Sequence, residues 1–414
     1  MEYGCIAERL GHSFSKEIHA ALGDYSYDLC EVKPEELDAF MRERAFKAIN
    51  VTIPYKESVL PYMTVLDGQA KAIGAVNTIV NRNGALYGYN TDFYGMRAMI
   101  QRMGISLDGK TVAILGTGGT SRTAKAVARD LGAGEILAVS RSQRADAITY
   151  EELYRRRADV GILINTTPCG MFPHTEGSAV RVADFPNLSG VVDAVYNPVR
   201  PQLVLDAQKR GIPATGGLYM LVVQAVRASE IFLDLSYPAQ ITECVFASVL
   251  REKENLVLIG MPGSGKSTVG KLLAERMGRS FLDTDSLIVD AAGMPIPDIF
   301  KTYGEAYFRD LEARVIKEQV ANRNGLVVAT GGGAVLRQEN TDALRRNGRT
   351  YFLDRPVEDL IPTADRPLSS TVEAIKKRYE ERYACYCAAA DLRISVEGDP
   401  AWVAEKIGKD FESR

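Results

Sequence analysis

The sequence predicts an α/β protein with mostly parallel sheets, divided into more than one unit. Extended and helical patterns alternate along all 414 residues, with glycine-rich turns between them. Two of those turns, at residues 116–121 and 260–267, stand where an aliphatic run meets a helix-forming stretch. A chain of this length predicts two or three domains. Apolar content of 46% and charged content of 25% are ordinary for globular protein. The formal net charge of −3 gives no reason to expect nucleic acid or an anionic membrane as partner. Residues 1–10 include Glu2, Glu8 and Arg9 and lack the apolar centre of a signal peptide. No apolar run is long enough to span a bilayer, so a cytoplasmic location is expected.

The six cysteines are scattered, and the only close pair, Cys385 and Cys387, has no histidine nearby. Reduced thiols are the better reading than a metal site. Histidine is confined to His12, His19 and His174. Proton transfer should therefore fall to lysine or carboxylate.

Taken in order, residues 1–101 form a first unit with no glycine-rich turn of comparable specificity. Residues 102–215 follow as a second. There a β-branched run at 111–115 enters Gly116-Thr117-Gly118-Gly119-Thr120-Ser121, residues 122–131 read as a helix, and residues 135–140 read as the next strand. This is the setting of a dinucleotide-binding turn, in which glycines admit a pyrophosphate close to the backbone at a helix N-terminus. Ser121 replaces the last glycine of the usual pattern. Gly116, Gly118, Gly119, Thr120 and Ser121 are the expected contacts. An acidic residue after the second strand would bind the ribose 2′-hydroxyl of NAD, whereas arginine accommodates a 2′-phosphate. Ser140-Arg141-Ser142 has no carboxylate and Arg144 adds charge, which favours NADP; a solvated surface arginine is the bland alternative.

Residues 216–250 read as a long helical pattern that completes the first unit. Residues 251–254, Arg-Glu-Lys-Glu, form a short charged linker without the Gly, Ser or Pro richness of a spacer. A third unit covers 255–414. Its apolar run at 256–259 leads into Gly260-Met261-Pro262-Gly263-Ser264-Gly265-Lys266-Ser267, and 268–277 is helix-forming. This is a complete phosphate-binding loop in the strand–loop–helix context it requires. Gly263, Ser264, Gly265 and Thr268 lie where backbone amides face phosphate oxygens. Lys266 can reach the β- and γ-phosphates, and the Ser267 hydroxyl can ligate Mg²⁺.

Several further segments carry a resemblance. His12-Ser13-Phe14-Ser15, the run Asn50-Val51-Thr52-Ile53-Pro54-Tyr55-Lys56, Gly74-Ala75-Val76-Asn77-Thr78, Asn90-Thr91-Asp92, Asp193-Ala194-Val195-Tyr196-Asn197-Pro198, and the stretch from Gly217 to Gln224 occur in this order. Through them the first 250 or so residues resemble shikimate dehydrogenase. The resemblance implies a substrate domain, a Rossmann NADP domain, and reduction of 3-dehydroshikimate. Lys56 would be the catalytic lysine, able to protonate the emerging alkoxide, and Asp92 would orient it. Ser13, Ser15, Thr52, Asn77, Tyr196 and Gln224 would hold the small polyhydroxylated carboxylate. Gly217 joins Ser140 and Arg141 among the cofactor contacts. Taken singly, each of these has a plainer reading as an N-cap serine, a turn asparagine or a surface lysine.

The remaining 160 or so residues resemble shikimate kinase through the phosphate loop, Asp283-Thr284-Asp285, Phe308-Arg309, Thr330-Gly331-Gly332-Gly333 and Arg366-Pro367-Leu368. The resemblance implies a parallel-sheet P-loop fold using ATP and Mg²⁺. Asp283 with Ser267 would support the metal, and Asp285 would bind and orient the acceptor hydroxyl. Arg309, Arg382 and the backbone of Gly331, Gly332 and Gly333 would hold the acceptor carboxylate. Arg366 would close over the transferring phosphoryl group on a lid. Two segments depart from the pattern. The lid at about 358–368 is short, with Pro362-Thr363 where Arg-Thr is usual, and Ala7-Glu8-Arg9-Leu10-Gly11 replaces the common G-N-P-I.

The sequence thus predicts a bifunctional enzyme of the shikimate pathway with small-molecule substrates. One alternative is a quinate/shikimate dehydrogenase preferring NAD, fused to the kinase; Arg141 argues against it. Another is a metabolite-sensing regulator built on both folds, against which stand Lys56, Asp92, Lys266, Ser267 and Asp285, all present.

Overall fold

A computed structural model describes residues 1–11, 13–360 and 371–414. The chain parts into two compact units, Met1–Val249 and Leu250–Arg414. None of the described helices is long and apolar enough to cross a membrane.

The first unit contains two sheets. One comprises β1 (Tyr3–Ala7), β2 (Tyr27–Glu31), β3 (Ala48–Val51), β4 (Val65–Leu66), β5 (Thr78–Arg82) and β6 (Ala85–Tyr89), in the order β2-β1-β3-β5-β6-β4. It is mixed rather than parallel: β5 runs antiparallel to both β3 and β6. The cause is local. Asn83 and Gly84 both take positive φ, 55° and 86°, which makes the two-residue turn that matches strand twist in a hairpin.

The second sheet comprises β7 (Thr111–Leu115), β8 (Glu135–Ser140), β9 (Ile148–Thr149), β10 (Val160–Asn165), β11 (Gly190–Asp193) and β12 (Ala214–Thr215). All its strands are parallel, in the order β12-β11-β10-β7-β8-β9. Alternate residues of β7 enter different cores. Val112 and Ile114 pack with Met96, Met99 and Val127, while Ala113 and Leu115 pack with Val139, Leu203 and Val204. A sheet covered on both faces needs such apolar strands. Strand order reverses between β7 and β10, which opens a crevice beyond their carboxyl ends.

The helix Asp92–Arg102 packs against Leu218–Leu233. Gly95 permits the approach, since a Cβ there would stand 2.5 Å from the Met220 carbonyl oxygen. The helical pattern of residues 216–250 is not one helix. It breaks at Asp234, held at φ 52°, and resumes as Ile241–Lys253. That second helix carries through residues 251–253, where the sequence reading put a linker.

The second unit is a five-stranded parallel sheet: β13 (Asn255–Ile259), β14 (Ser280–Asp283), β15 (Leu326–Ala329), β16 (Gly348–Asp354) and β17 (Leu392–Ser395), in the order β14-β15-β13-β16-β17. Val257 and Ile259 face one core with Val328 and Phe352; Leu256 and Leu258 face the other with Val269 and Leu353. The central strand β13 delivers the chain into residues 260–267 and the helix Lys266–Met277.

Candidate active sites

In the first unit, Lys56 and Asp92 come together although 36 residues separate them. The Lys56 ammonium donates to Asp92 Oδ2 at 2.6 Å, with the two side chains 12% and 7% exposed. Asp92 starts the helix Asp92–Arg102, and Lys56 lies just beyond the cis Ile53–Pro54 bond. The Lys56 stem runs against the dinucleotide turn: a Cβ on Gly119 would be 3.2 Å from Lys56 Cβ. The proton-bearing nitrogen is thus held by a carboxylate beside the turn where a nicotinamide cofactor would lie.

A buried amide and hydroxyl network surrounds this pair. Asn77 Oδ1 accepts from the Thr91 amide at 2.7 Å, and its Nδ2 donates to Thr91 Oγ1 at 2.9 Å. A longer bond of 3.4 Å joins Asn77 Nδ2 to Gln224 Oε1, and Gln224 Nε2 donates to the Leu221 carbonyl at 2.9 Å. Asn50 supports Asn77 from behind, donating to the Asn77 carbonyl at 3.2 Å while accepting from the Tyr27 hydroxyl at 2.7 Å. Ser13 Oγ donates to Ser15 Oγ at 3.1 Å and also accepts from the Ser15 amide at 3.2 Å. Phe14, between them, packs at a tilt against Tyr196 with ring centres 5.2 Å apart. Burial pushes the Tyr196 phenol up to about 12, with the Ser13 hydroxyl opposing, so it remains a neutral donor. Thr52 is half-buried, and its backbone amide donates to Ile6 O at 3.0 Å. His12 lies outside the described residues.

On the second sheet, Gly116 takes φ 112° at the end of β7. Ser121 Oγ donates to the Gly116 carbonyl at 2.7 Å, which ties the turn to the helix Gly119–Asp130. That helix begins at Gly119, earlier than the expected residue 122, so Gly118 is its N-cap and Thr120 lies in its first turn. Gly217 is required by close approach, since a Cβ would collide with the Ala194 carbonyl oxygen. Ser140 Oγ accepts from the Ser142 amide at 3.2 Å and shapes the bend that presents Arg141, which is exposed. Arg144 reaches Thr117 Oγ1 of the turn at 3.4 Å. A cationic rim therefore borders the turn on the β8 side.

In the second unit, Gly263 and Gly265 take φ values of 85° and 94°. Such conformations turn successive amides inward to make an anion-binding nest. The buried Lys266 ammonium donates to the Gly260 and Met261 carbonyls at 2.9 and 2.8 Å. Ser264 is buried within the loop, and Thr268 is exposed on the first turn of the helix. Ser267 Oγ donates to Asp283 Oδ2 at 2.6 Å, while Asp283 Oδ1 accepts from the Asp285 amide at 3.0 Å. A hydroxyl beside a carboxylate next to a phosphate nest is an oxygen donor set that suits Mg²⁺.

Asp285, Glu312, Arg309 and Arg382 converge on Gly331, Gly332 and Gly333. A Cβ on Gly331 would stand 2.5 Å from Asp285 Oδ1 and 2.9 Å from Glu312 Oε1; one on Gly333 would collide with the Arg309 guanidinium. Arg309 pairs with Glu312 at 2.8 Å, and Arg382 donates to the Gly332 carbonyl at 3.1 Å. Tyr386 also donates to the Gly332 carbonyl. Burial raises the Glu312 carboxyl against the pull of Arg309. Sequence reading passed over Glu312 and Tyr386, although each follows a named arginine at the i+3 or i+4 spacing that shares a helix face. Arg366, and the departure at Pro362-Thr363, lie outside the described residues.

Comparison with known proteins fits this division. Residues 5–79 match the family model "Shikimate dehydrogenase substrate binding domain", and residues 262–412 match "Shikimate kinase". The shikimate dehydrogenase (NADP(+)) of Clostridium perfringens strain 13 is 37% identical over 248 residues, covering 56% of this chain and 91% of that protein. That of Methanothermobacter thermautotrophicus is 35% identical over 274 residues, covering 60% and 96%. Among solved structures, shikimate dehydrogenase 1 from Peptoclostridium difficile superposes with a TM-score of 0.56 at 33% identity, covering 60% of this chain and 98% of that one. A chorismate mutase/shikimate 5-dehydrogenase fusion protein from Clostridium acetobutylicum gives a TM-score of 0.56 at 32% identity, covering 60% and 96%.

Proposed function

The chain belongs to the shikimate dehydrogenase family, carries a shikimate kinase domain after it, and is a bifunctional enzyme of the shikimate pathway; we propose that it catalyses two consecutive steps. The first reduces 3-dehydroshikimate to shikimate with NADPH. The second transfers the γ-phosphoryl group of ATP to the 3-hydroxyl of shikimate.

NADPH supplies the hydride for the first step, and the positive φ of Gly116 with the cationic rim of Arg141 and Arg144 suits its phosphates. As the carbonyl carbon gains hydride, negative charge grows on its oxygen. Lys56 gives that oxygen a proton and recovers one from solvent, while Asp92 fixes the ammonium and accepts a substrate hydroxyl. Ser13, Ser15 and Tyr196 offer neutral donors to the substrate carboxylate. Asn77 and Gln224, each anchored by buried bonds, present fixed polar atoms to the ring hydroxyls.

In the second step Ser267 and Asp283 would hold Mg²⁺, which would supply charge neutralisation to the nucleotide phosphates. Lys266 balances charge on the transferring group. Asp285 orients the attacking hydroxyl, and Arg309 and Arg382 hold the acceptor carboxylate. The observation that carries the reading is the Lys56–Asp92 pair seated against Gly119, which joins an acid to a cofactor turn. The test is NADPH oxidation dependent on 3-dehydroshikimate, with phosphorus–proton coupling in the final product. Coupling to the proton at carbon 3 is expected; coupling at another carbon would overturn the assignment of the acceptor hydroxyl.

A further inference from the structure

The acceptor side of the kinase sheet holds one guanidinium more than the roles above employ. Arg378 lies one turn before Arg382 on the helix Val372–Ala389, so the two share a face. It is half-buried, and its Nη1 makes a single long bond of 3.5 Å to the Ala374 carbonyl of its own helix. Among the described residues it has no ion pair. The carboxylates that act on it are engaged elsewhere: Glu305 with Arg309 at 3.3 Å and Glu381 with Lys377 at 4.0 Å. Arg345 pairs with Asp391 and Arg349 with Asp410, while Arg279 is held by two backbone carbonyls. Burial, with Arg382 and Arg309 adding repulsion, holds the Arg378 guanidinium below its ordinary value.

Glu312 and Glu305 are both spent on Arg309. Arg382 bonds the Gly332 carbonyl and the Tyr386 hydroxyl, and Arg378 only a carbonyl of its own helix. Neither has an ion pair among the described residues, each repels the other, and an anion placed between them relieves that repulsion. We propose that Arg378 is a further specificity residue of the kinase unit, binding the acceptor carboxylate together with Arg382. This rests on the assignment of Arg309 and Arg382 to the acceptor site. Arg378 was not among the residues that the sequence motifs singled out, because a lone arginine in a charged helix looks like a solvated one.

The experiment uses the full-length protein, with shikimate and its uncharged carboxamide as alternative acceptors. Arg378→Gln should raise KM for shikimate roughly ten- to hundredfold, the range of one charge-assisted contact. The kcat should change little, and KM for the carboxamide should stay the same. Arg378→Lys, which keeps the charge and loses the planar fork, should fall between. The unliganded Arg378→Gln protein should melt no lower than wild type, because removing the charge relieves repulsion. Equal KM increases for both acceptors, no increase for either, or a lower melting point would each overturn the inference. Failure of the wild-type protein to phosphorylate shikimate would instead remove the acceptor-site reading on which it stands.

Discussion

Replacing Lys56 by alanine tests the dehydrogenase unit at its most connected point. The Lys56 and Asp92 side chains are 2.6 Å apart and only 12% and 7% exposed. At an effective dielectric of about 20, two unit charges at that distance attract by roughly 6 kcal/mol before desolvation is subtracted. Removing one partner of such a pair costs about 3–5 kcal/mol, because the other is left buried and uncompensated. A unit of this size shifts its midpoint by about 2–4 °C per kcal/mol, so melting should fall by roughly 6–20 °C. If Lys56 is the proton donor proposed above, its loss should lower kcat for 3-dehydroshikimate by about 10² to 10⁴, leaving phosphorylation of shikimate intact. The double variant Lys56→Met/Asp92→Leu should regain most of the stability and none of the turnover. Calorimetry and NADPH absorbance read the two effects separately. Near-wild-type reduction by Lys56→Ala would remove Lys56 from the mechanism. A double variant as unstable as the single one would refute the argument from an uncompensated Asp92.

Lys266→Ala should abolish phosphoryl transfer and spare reduction, as measured by the two assays on one preparation; loss of both activities would contradict separate catalytic sets. Arg141→Ala should weaken NADPH far more than NADH, by about 1.5–3 kcal/mol for one charge-assisted contact, measured as the ratio of their KM values. Equal losses for both cofactors would show that Arg141 does not read a 2′-phosphate, and Arg144 would be the next candidate. Asp193 gives a pH effect. Burial pushes its carboxyl up to about 7, although Oδ1 accepts from the Val195 amide and from Asn165, both at 2.9 Å; Oδ2 has no hydrogen-bond partner among the described residues. The folded protein keeps this proton up to about pH 7, whereas the unfolded chain releases it near pH 4. Its stabilisation is therefore full at low pH and fades as pH rises to 7. Asp193→Asn should gain roughly 4 kcal/mol relative to wild type between pH 4 and pH 8, and parallel denaturation profiles would contradict this.

The parts legible in the sequence were those whose chemistry is local. The run at 256–259 and the glycines after it announced β13 and its loop, because a nest of amides needs positive φ at fixed spacing. The same reasoning found β7 and β8 around Gly116. Asn83-Gly84 carried an equally local hairpin signal, which alone would have marked the first sheet as mixed. The stretch 216–250 misled because its apolar periodicity continues through Leu233 and Leu235, while the break is made by the backbone of Asp234 ahead of Pro238. Least legible was the support behind Asn77. Tyr27 meets Asn50 across 23 residues, and Asn77 meets Gln224 across 147, so only the assembled fold brings them together. Glu312 was within reach, three residues beyond Arg309 on one helix face.

The most direct test of two successive reactions in one chain is a single incubation. The purified protein would be given 3-dehydroshikimate, NADPH and ATP with Mg²⁺, and the products identified by mass. Shikimate should form when ATP is omitted, shikimate 3-phosphate when all are present, and nothing when NADPH is omitted. Accumulation of shikimate without phosphate in the complete mixture, or of a phosphorylated product without NADPH, would contradict the account.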